Sequence, residues 1–257
     1  MRGRRLEAKR KSDGNPNPVR RESTRRDPMI VITTPTGDIG RQVVDNVLAQ
    51  DAPVRLIARD PDKLEPRVRE RVEVVAGSHG DAEVVDKAFE GADAVFWLAP
   101  PNPRAADLNA TYVDFTRPAA DAFKRHEVGR VVGVSALGRG FEGNAGQVTA
   151  SLAMDDLIAA TGVNFRALAM PSFMDNMLRQ VQSIKNEGTV YGPLSPDRKA
   201  PTCATKDIAA VATALLLDRT WTGAGSVPVL GPEDLSANDM AEIISDVLGR
   251  PVRYHQI

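Results

Sequence analysis

Hydrophobic positions along this chain switch between two spacings in a repeating order. Ile30, Val31 and Ile32 form a short β-branched run, and after a brief turn Val43, Val44, Val47 and Leu48 recur at helical spacing. A second stretch, VRLIARDPDKL at 54–64, reads as a strand and the start of its helix, with Asp60 as N-cap and Pro61 at the first helical position. Further apolar runs stand at 72–76 (VEVVA), 94–98 (AVFWL), 130–134 (RVVGV) and 164–169 (NFRALA), and helical stretches such as 83–89 and 109–124 lie between them. The runs are apolar throughout, as strands covered on both faces must be. Strands alternating with helices in this way predict an α/β fold, a doubly wound parallel sheet. Residues 29–170 are expected to form its main domain, and 171–257 a smaller part packed on the same sheet.

The turn after the first strand reads T-x-x-G-x-x-G, with Thr34, Gly37 and Gly40 at the marked places. Where a strand passes into a helix through such a turn, unpaired backbone N–H groups and the positive end of the helix dipole face outward together, so a pyrophosphate can bind without a side-chain cation. Thr34, Thr36, Gly37, Asp38, Ile39 and Gly40 are therefore the first cofactor-binding candidates, in a Rossmann arrangement. The dinucleotide fingerprint has glycine where this chain has Thr34. A β-branched residue resists positive φ, which predicts a loop of variant shape. An ordinary two-glycine turn is the bland alternative. Arg59 closes the second strand, where an acidic residue would favour NAD through the ribose hydroxyl and an Arg the extra phosphate of NADP. NADP(H) is thus favoured over NAD(H). Ligands of such sheets lie beyond the carboxyl ends of the strands, which adds Gly77 and Ser78, Ala99, Pro100 and Pro101, and Ser135 to the expected cleft.

On these pieces the chain resembles the NmrA-like proteins, a branch of the atypical short-chain dehydrogenases/reductases. The matching segments are ITTPTGDIG, VRLIARDPDKL, AVFWLAPP, VVGVSALG, TGVNFRALAMPSFMDN, KDIAAVATALL and LSANDMAEIISDVLGRPVRY, which span nearly all of 29–257. The resemblance implies NADP or NAD binding, and either reduction of quinones or azo dyes or redox sensing without turnover. Short-chain dehydrogenases usually work with a Ser and a Tyr-x-x-x-Lys set, the Lys lowering the Tyr pKa so that the phenol can pass a proton. Ser135 stands where that Ser would be and is the candidate catalytic residue. No Tyr-x-x-x-Lys exists: Tyr112 is followed at that spacing by Thr116 and Tyr191 by Ser195, and the Tyr and Lys places fall on Gln147 and Ser151. Hydride transfer remains open, because the cofactor carries that chemistry. The expected function is an NADPH-dependent reductase acting on a quinone-like or conjugated carbonyl acceptor, with water or a weak donor supplying the proton. The rival is a non-catalytic NAD(P)-sensing regulator that binds a protein partner, and an epimerase or isomerase of the extended family stands third.

Other chemistry finds little support. His79, His126 and His255 are scattered and Cys203 is single, so no metal spacing or disulfide framework arises. His79 reads as a surface-loop residue. Asp155 and Asp156 are adjacent, point in different directions on a helix and read as a solvated face. Phe173, Met174, Tyr191 and Trp221 are candidate pocket walls, with a plain core role as the commoner alternative. Hydrophobic residues make up 42% of 257 and the formal charge is -1, with no apolar run of membrane-spanning length, so a cytoplasmic protein is expected. The charge is uneven: residues 1–28 hold ten Lys or Arg against four Asp or Glu, leaving 23 against 30 for the rest. That leader lacks an apolar segment and reads as a disordered extension rather than a signal or a nucleic-acid arm. Members of the resembling family continue past the strand matching PVRYHQI, whereas Ile257 is the last residue here, which implies an open nicotinamide side: the substrate is large, or a second copy or protein partner covers it, or none is turned over.

Overall fold

The computed structural model describes residues 28–100, 102 and 105–257. The basic leader, Pro28 excepted, and Pro101 of the expected cleft lie outside the described residues. The first part of the chain runs β1 (Met29–Thr33), α1 (Asp38–Leu48), β2 (Val54–Ala58), α2 (Pro66–Arg69), β3 (Glu73–Ala76), α3 (Ala82–Phe89), β4 (Ala92–Trp97), α4 (Phe115–Arg125), β5 (Arg130–Ala136), α5 (Gln147–Ala159) and β6 (Asn164–Met170). It continues through β7 (Ser172–Phe173), α6 (Val181–Glu187), β8 (Thr189–Gly192), β9 (Thr202–Cys203), α7 (Thr205–Leu217), β10 (Ala224–Pro228), α8 (Ala237–Leu248) and β11 (Arg253–Gln256).

Seven strands form one sheet in the order β10-β6-β5-β4-β1-β2-β3, with every pairing parallel. This is the doubly wound α/β arrangement that the alternating pattern predicts, and its order reverses between β1 and β4. Strand residues alternate between two cores. Ile30 and Ile32 of β1 meet Val43 and Val47 of α1 and Ile208 and Ala212 of α7 on one face. Val31, Val95 and Trp97 meet Phe89 of α3, Phe123 of α4 and Met154 of α5 on the other. Both faces exclude water, which is why these strands carry no polar alternation. No helix among the described residues is long and apolar enough to cross a membrane.

Two expectations about local structure need correcting. Asp60 does cap, accepting a hydrogen bond from the Asp62 N–H, but only a 3₁₀ turn over Pro61–Lys63 follows. Pro66 drives Glu65 into an extended conformation, φ -58 and ψ 138, which interrupts the helix before α2 begins. Trp221 is no pocket wall. It precedes β10 at the amino end of the sheet, where its indole N–H donates to the Leu215 carbonyl and the Arg166 guanidinium lies 4.6 Å over the ring.

Residues beyond 170 divide between two places. α7 packs on α1 and β10 extends the large sheet; β7 pairs with β9, with Phe173 and Cys203 packed on the main core, and β8 pairs with β11 around a small core of Ile184, Val190 and Val252. The β7–β9 pair stands at the carboxyl edge, since β7 follows β6 directly.

The join of β1 to α1 admits little change. A Cβ at Gly40 would fall 2.1 Å from the Thr34 carbonyl oxygen and 2.8 Å from its carbon, so helix and strand end could not keep their distance. Gly40→Ala is expected to cost about 3 kcal/mol, the upper range for an overpacked site, read as a lowered urea midpoint at unchanged slope. An unchanged midpoint would show that the helix can move away without loss.

Candidate functional site

The crevice opens where the strand order reverses. Thr33, fully buried, ties the two strands there: its hydroxyl donates to the Phe96 carbonyl at 3.0 Å and accepts from the Leu98 N–H at 3.0 Å. Thr34 then turns the chain with φ +51, the left-handed conformation that β-branched residues avoid. The expectation that Thr would resist positive φ is thus corrected. The conformation is held by a hydrogen bond from the Gly37 N–H to the Thr34 carbonyl at 3.0 Å and by the tight Gly40 contact. The Thr34 hydroxyl oxygen is buried without a hydrogen-bond partner.

α1 begins without a side-chain cap, because its N-cap is Gly37. The N–H groups of Asp38, Ile39 and Gly40 have no partner among the described residues, and the first helical bond is Arg41 N–H to the Gly37 carbonyl. Eleven residues of helix therefore direct their positive end and three unpaired donors at the crevice. Gly37 has φ -83, and a Cβ there would meet only the Thr34 oxygen at 3.4 Å, so the fold itself does not require glycine. Space is left open where the donors point. Gln42 steadies this turn, donating to the Asp38 carbonyl at 2.7 Å and to the Thr205 hydroxyl at 3.0 Å. Thr205 in turn donates through its N–H and hydroxyl to the Asp175 carboxylate, which links α7 to the segment after β7.

Parallel pairing brings the ends of β2, β3, β4 and β5 to the same edge. Arg59 follows β2, is exposed and makes no ion pair with a described residue. Ser78 follows β3, where its hydroxyl accepts from the Gly80 N–H at 3.2 Å and its carbonyl from the Asp81 N–H, shaping the entry to α3. Ala99 is buried and Pro100 half-buried after β4. His79 is not a surface residue: it is 6% exposed, wedged edge-on between the Trp97 and Phe115 rings, with Nε2 3.0 Å from the Leu98 carbonyl. Burial pushes its pKa down to about 4, so it stays neutral and must carry its hydrogen on Nε2 to satisfy that carbonyl.

The largest correction concerns the acidic pair of α5. Asp156 is exposed and pairs with Arg139 at 2.9 Å, but Asp155 is 3% exposed, on the buried face with Ser151, Met154 and Ile158. Ser135, itself 7% exposed at the end of β5, hydrogen-bonds the Asp155 carboxyl through its hydroxyl. The other Asp155 oxygen has no hydrogen-bond partner, and the Arg139 guanidinium stands 3.7 Å from the carboxyl on the solvent side. Burial pushes the Asp155 pKa up to about 6 against the opposing pull of Ser135 and Arg139. A pocket of about 230 Å³ adjoins this carboxyl, walled by Leu137, Leu152, Ala169 and Pro228. Of the two places of the missing Tyr and Lys, Gln147 is exposed at the start of α5 and Ser151 is buried. Little in the sequence of α5 marks Asp155, since apolar residues stand all round the helix and 151, 154, 155 and 158 become its buried face only once it packs.

A model of the NAD(P)H-binding family matches residues 35–219. The chain is 32% identical over 230 residues to the (4-alkanoyl-5-oxo-2,5-dihydrofuran-3-yl)methyl phosphate reductase of Streptomyces griseus, covering 89% of this chain and 77% of the relative. It is 28% identical over 231 residues to the NAD(P)H azoreductase of Xenophilus azovorans, with coverage of 88% and 76%. The NADPH-dependent quinone oxidoreductase of Escherichia coli, solved in complex with NADPH, superposes with a TM-score of 0.76 at 19% identity, over 89% of this chain and 78% of that one.

His79 and Asp155 pull stability in opposite directions with pH. The unfolded chain takes up a proton at His79 near 6.5 that the folded state refuses until about 4, so stability is lost as pH falls through that window. Asp155 gives up its proton near 3.8 when unfolded but only at about 6 when folded, so stability is lost as pH rises through that window. Each displacement corresponds to about 3 kcal/mol. These two contributions largely cancel in the unaltered protein between pH 4 and 6. Asp155→Asn leaves His79 unopposed, and urea unfolding should show its stability rising by about 3 kcal/mol from pH 4 to 6.5. Identical pH slopes in both proteins would contradict the burial of Asp155.

Proposed function

The chain belongs to the NAD(P)H-binding family, among the NmrA-like atypical short-chain dehydrogenases/reductases, and on that premise we propose that it is an NADPH-dependent reductase of quinone-like or conjugated carbonyl acceptors. The observation that carries the reading is the uncapped first turn of α1, held open by Gly37 and aimed at the crevice between β1 and β4. In this reading the loop of Thr34, Thr36, Gly37, Asp38, Ile39 and Gly40 holds the pyrophosphate through backbone N–H groups. Arg59 meets the ribose phosphate that distinguishes NADPH from NADH. Ser78, Ala99 and Pro100 wall the path along the strand ends. When bound, the dihydronicotinamide supplies a hydride.

The protein's own part is to orient the acceptor, keep bulk water away and hold a hydroxyl near the acceptor oxygen. Ser135 is the group placed for that last task. Residues 171–204 and 229–257 form the acceptor side, where Met174 is 37%, Leu178 70% and Leu230 50% exposed at the carboxyl edge of the sheet. An apolar, open rim of this kind suits a flat hydrophobic acceptor. The relatives' names point the same way: a ring alkene conjugated to carbonyls, an azo group and a quinone are all electron-poor conjugated systems.

A charge-assisted contact to phosphate contributes about 1.5–3 kcal/mol, so NADPH should bind on the order of tenfold or more tightly than NADH, and Arg59→Ala should remove that preference. Equal affinities in the unaltered protein, measured by fluorescence titration, would refute the role of Arg59. Gly37→Val should abolish NADPH binding while the protein still unfolds cooperatively, because its side chain fills the space in front of the donors rather than any part of the core. Acceptor reduction is followed as NADPH oxidation with a panel of quinones, enones and azo compounds. Tight NADPH binding with no turnover of any of them would reassign the protein as a cofactor-occupancy sensor.

A further inference from the structure

Short-chain reductases need a proton as well as a hydride, and this chain has no Tyr-x-x-x-Lys pair to deliver one. Buried carboxyl groups are scarce and costly, and one stands beside Ser135 with a single hydrogen bond to that hydroxyl and its second oxygen unpaired. A structural carboxylate would be surrounded by donors. Asp155 instead lies between the end of β5 and a pocket of about 230 Å³, with Arg139 at its mouth.

We propose that Asp155 is a positioning and proton-feeding residue, which passes protons through the Ser135 hydroxyl to the oxygen of the acceptor and is refilled from water in the pocket it lines. The inference rests on the reductase reading above. When Asp155 carries its proton it donates to the Ser135 oxygen, which turns the serine's own hydrogen toward the cleft. As hydride adds to the acceptor carbon, the π electrons move onto the conjugated oxygen. That oxygen takes the proton from Ser135 while the Ser135 O–H bond breaks, and the serine oxygen takes the Asp155 proton. Asp155 is left as a carboxylate, which Arg139 stabilises until water returns a proton. One hydride and one proton have then been added to the acceptor, and Ser135 is unchanged.

The groups facing Asp155 suit a carboxyl that cycles between both forms. Arg139 from the loop after β5 favours the ionised form, whereas burial and the Asp156 charge on α5 favour the protonated one, placing the balance at about 6. The π-helical turn over Ala110–Asp114 also packs on α5, but the phenol of its Tyr112 is pushed up by burial and stays neutral. The unaltered protein can therefore donate at and below neutrality.

The test combines kinetics with a readout that needs no turnover. Infrared difference spectra of the protein without cofactor should show a protonated carboxyl that ionises near pH 6 and is missing in Asp155→Asn. With saturating NADPH and a conjugated enone, kcat/KM of the unaltered protein should decline above about pH 6. Asp155→Asn should be flat with pH and slower on the order of 10²-fold at pH 6. Ser135→Ala should match it, the double variant should be no slower, and Asp155→Glu should restore the decline, because the two groups act as a unit. Absence of a carboxyl titrating between pH 5 and 7 would overturn the proposal, as would an Asp155→Asn profile superimposable on the unaltered one; either leaves the reductase reading intact. No turnover by the unaltered protein would overturn both.

Discussion

One close approach governs the nucleotide end of this molecule: the first turn of α1 lies against the last carbonyl of β1, at a distance only glycine at position 40 permits. That contact bends the chain so sharply that Thr34 takes a left-handed conformation, at a cost of about 1–2 kcal/mol for a side chain of this kind. The cost is met by burial of Val43, Val44, Val47 and Leu48 between helix and sheet, each contributing a similar amount or more. Because the N-cap is Gly37, no side chain caps the helix, and three backbone donors remain available at the place where the sheet order reverses. Strain, open donors and crevice thus have one origin. Thr33 adds rigidity by joining β1 to β4 through one hydroxyl, so the floor of the crevice is fixed before any ligand arrives.

The same edge carries a division of labour. Along the β2, β1 and β4 side the groups are backbone N–H donors and Arg59, suited to phosphate. Toward β5 the groups are a hydroxyl and a buried carboxyl, suited to moving a proton. Beyond them, after β7 and β10, stand the exposed apolar side chains of Met174, Leu178 and Leu230, which suit the acceptor side of the proposed reductase. The link from Gln42 through Thr205 to Asp175 connects these regions, since it joins the cofactor turn to the segment after β7 by side-chain hydrogen bonds.

Much of this architecture is legible in the amino-acid order, because burial on both faces leaves short continuous apolar runs between helical stretches. The apolar run at 130–134 coincides with most of β5, and the run at 164–169 with β6 short of Met170. What the pattern hides is long-range. Thr34 is read from local preference as avoiding positive φ, yet the contact with Gly40, six residues on, overrides it. His79 follows a strand and reads as loop, but its ring fills a slot between Trp97 and Phe115 that exists only once β4 and α4 pack together. Asp155 differs from Asp156 only by the 100° rotation of one helical step, and charge alone makes both look solvated. Apolar residues stand all round α5, so only its packing on β5 and β6 reveals which of the two carboxyls is buried. The helix expected after Asp60 failed for a local reason instead, the second proline at position 66.

The central claim is that this crevice holds NADPH so that its hydride reaches a conjugated acceptor. The direct measurement is label transfer: the protein is given NADPH deuterated on either face at C4, together with a conjugated enone, and the product is analysed by mass spectrometry and NMR. The account predicts that deuterium from one face only appears on the carbon β to the carbonyl, while the α hydrogen comes from solvent. Product carrying no cofactor deuterium, or equal deuterium from both faces, would contradict it.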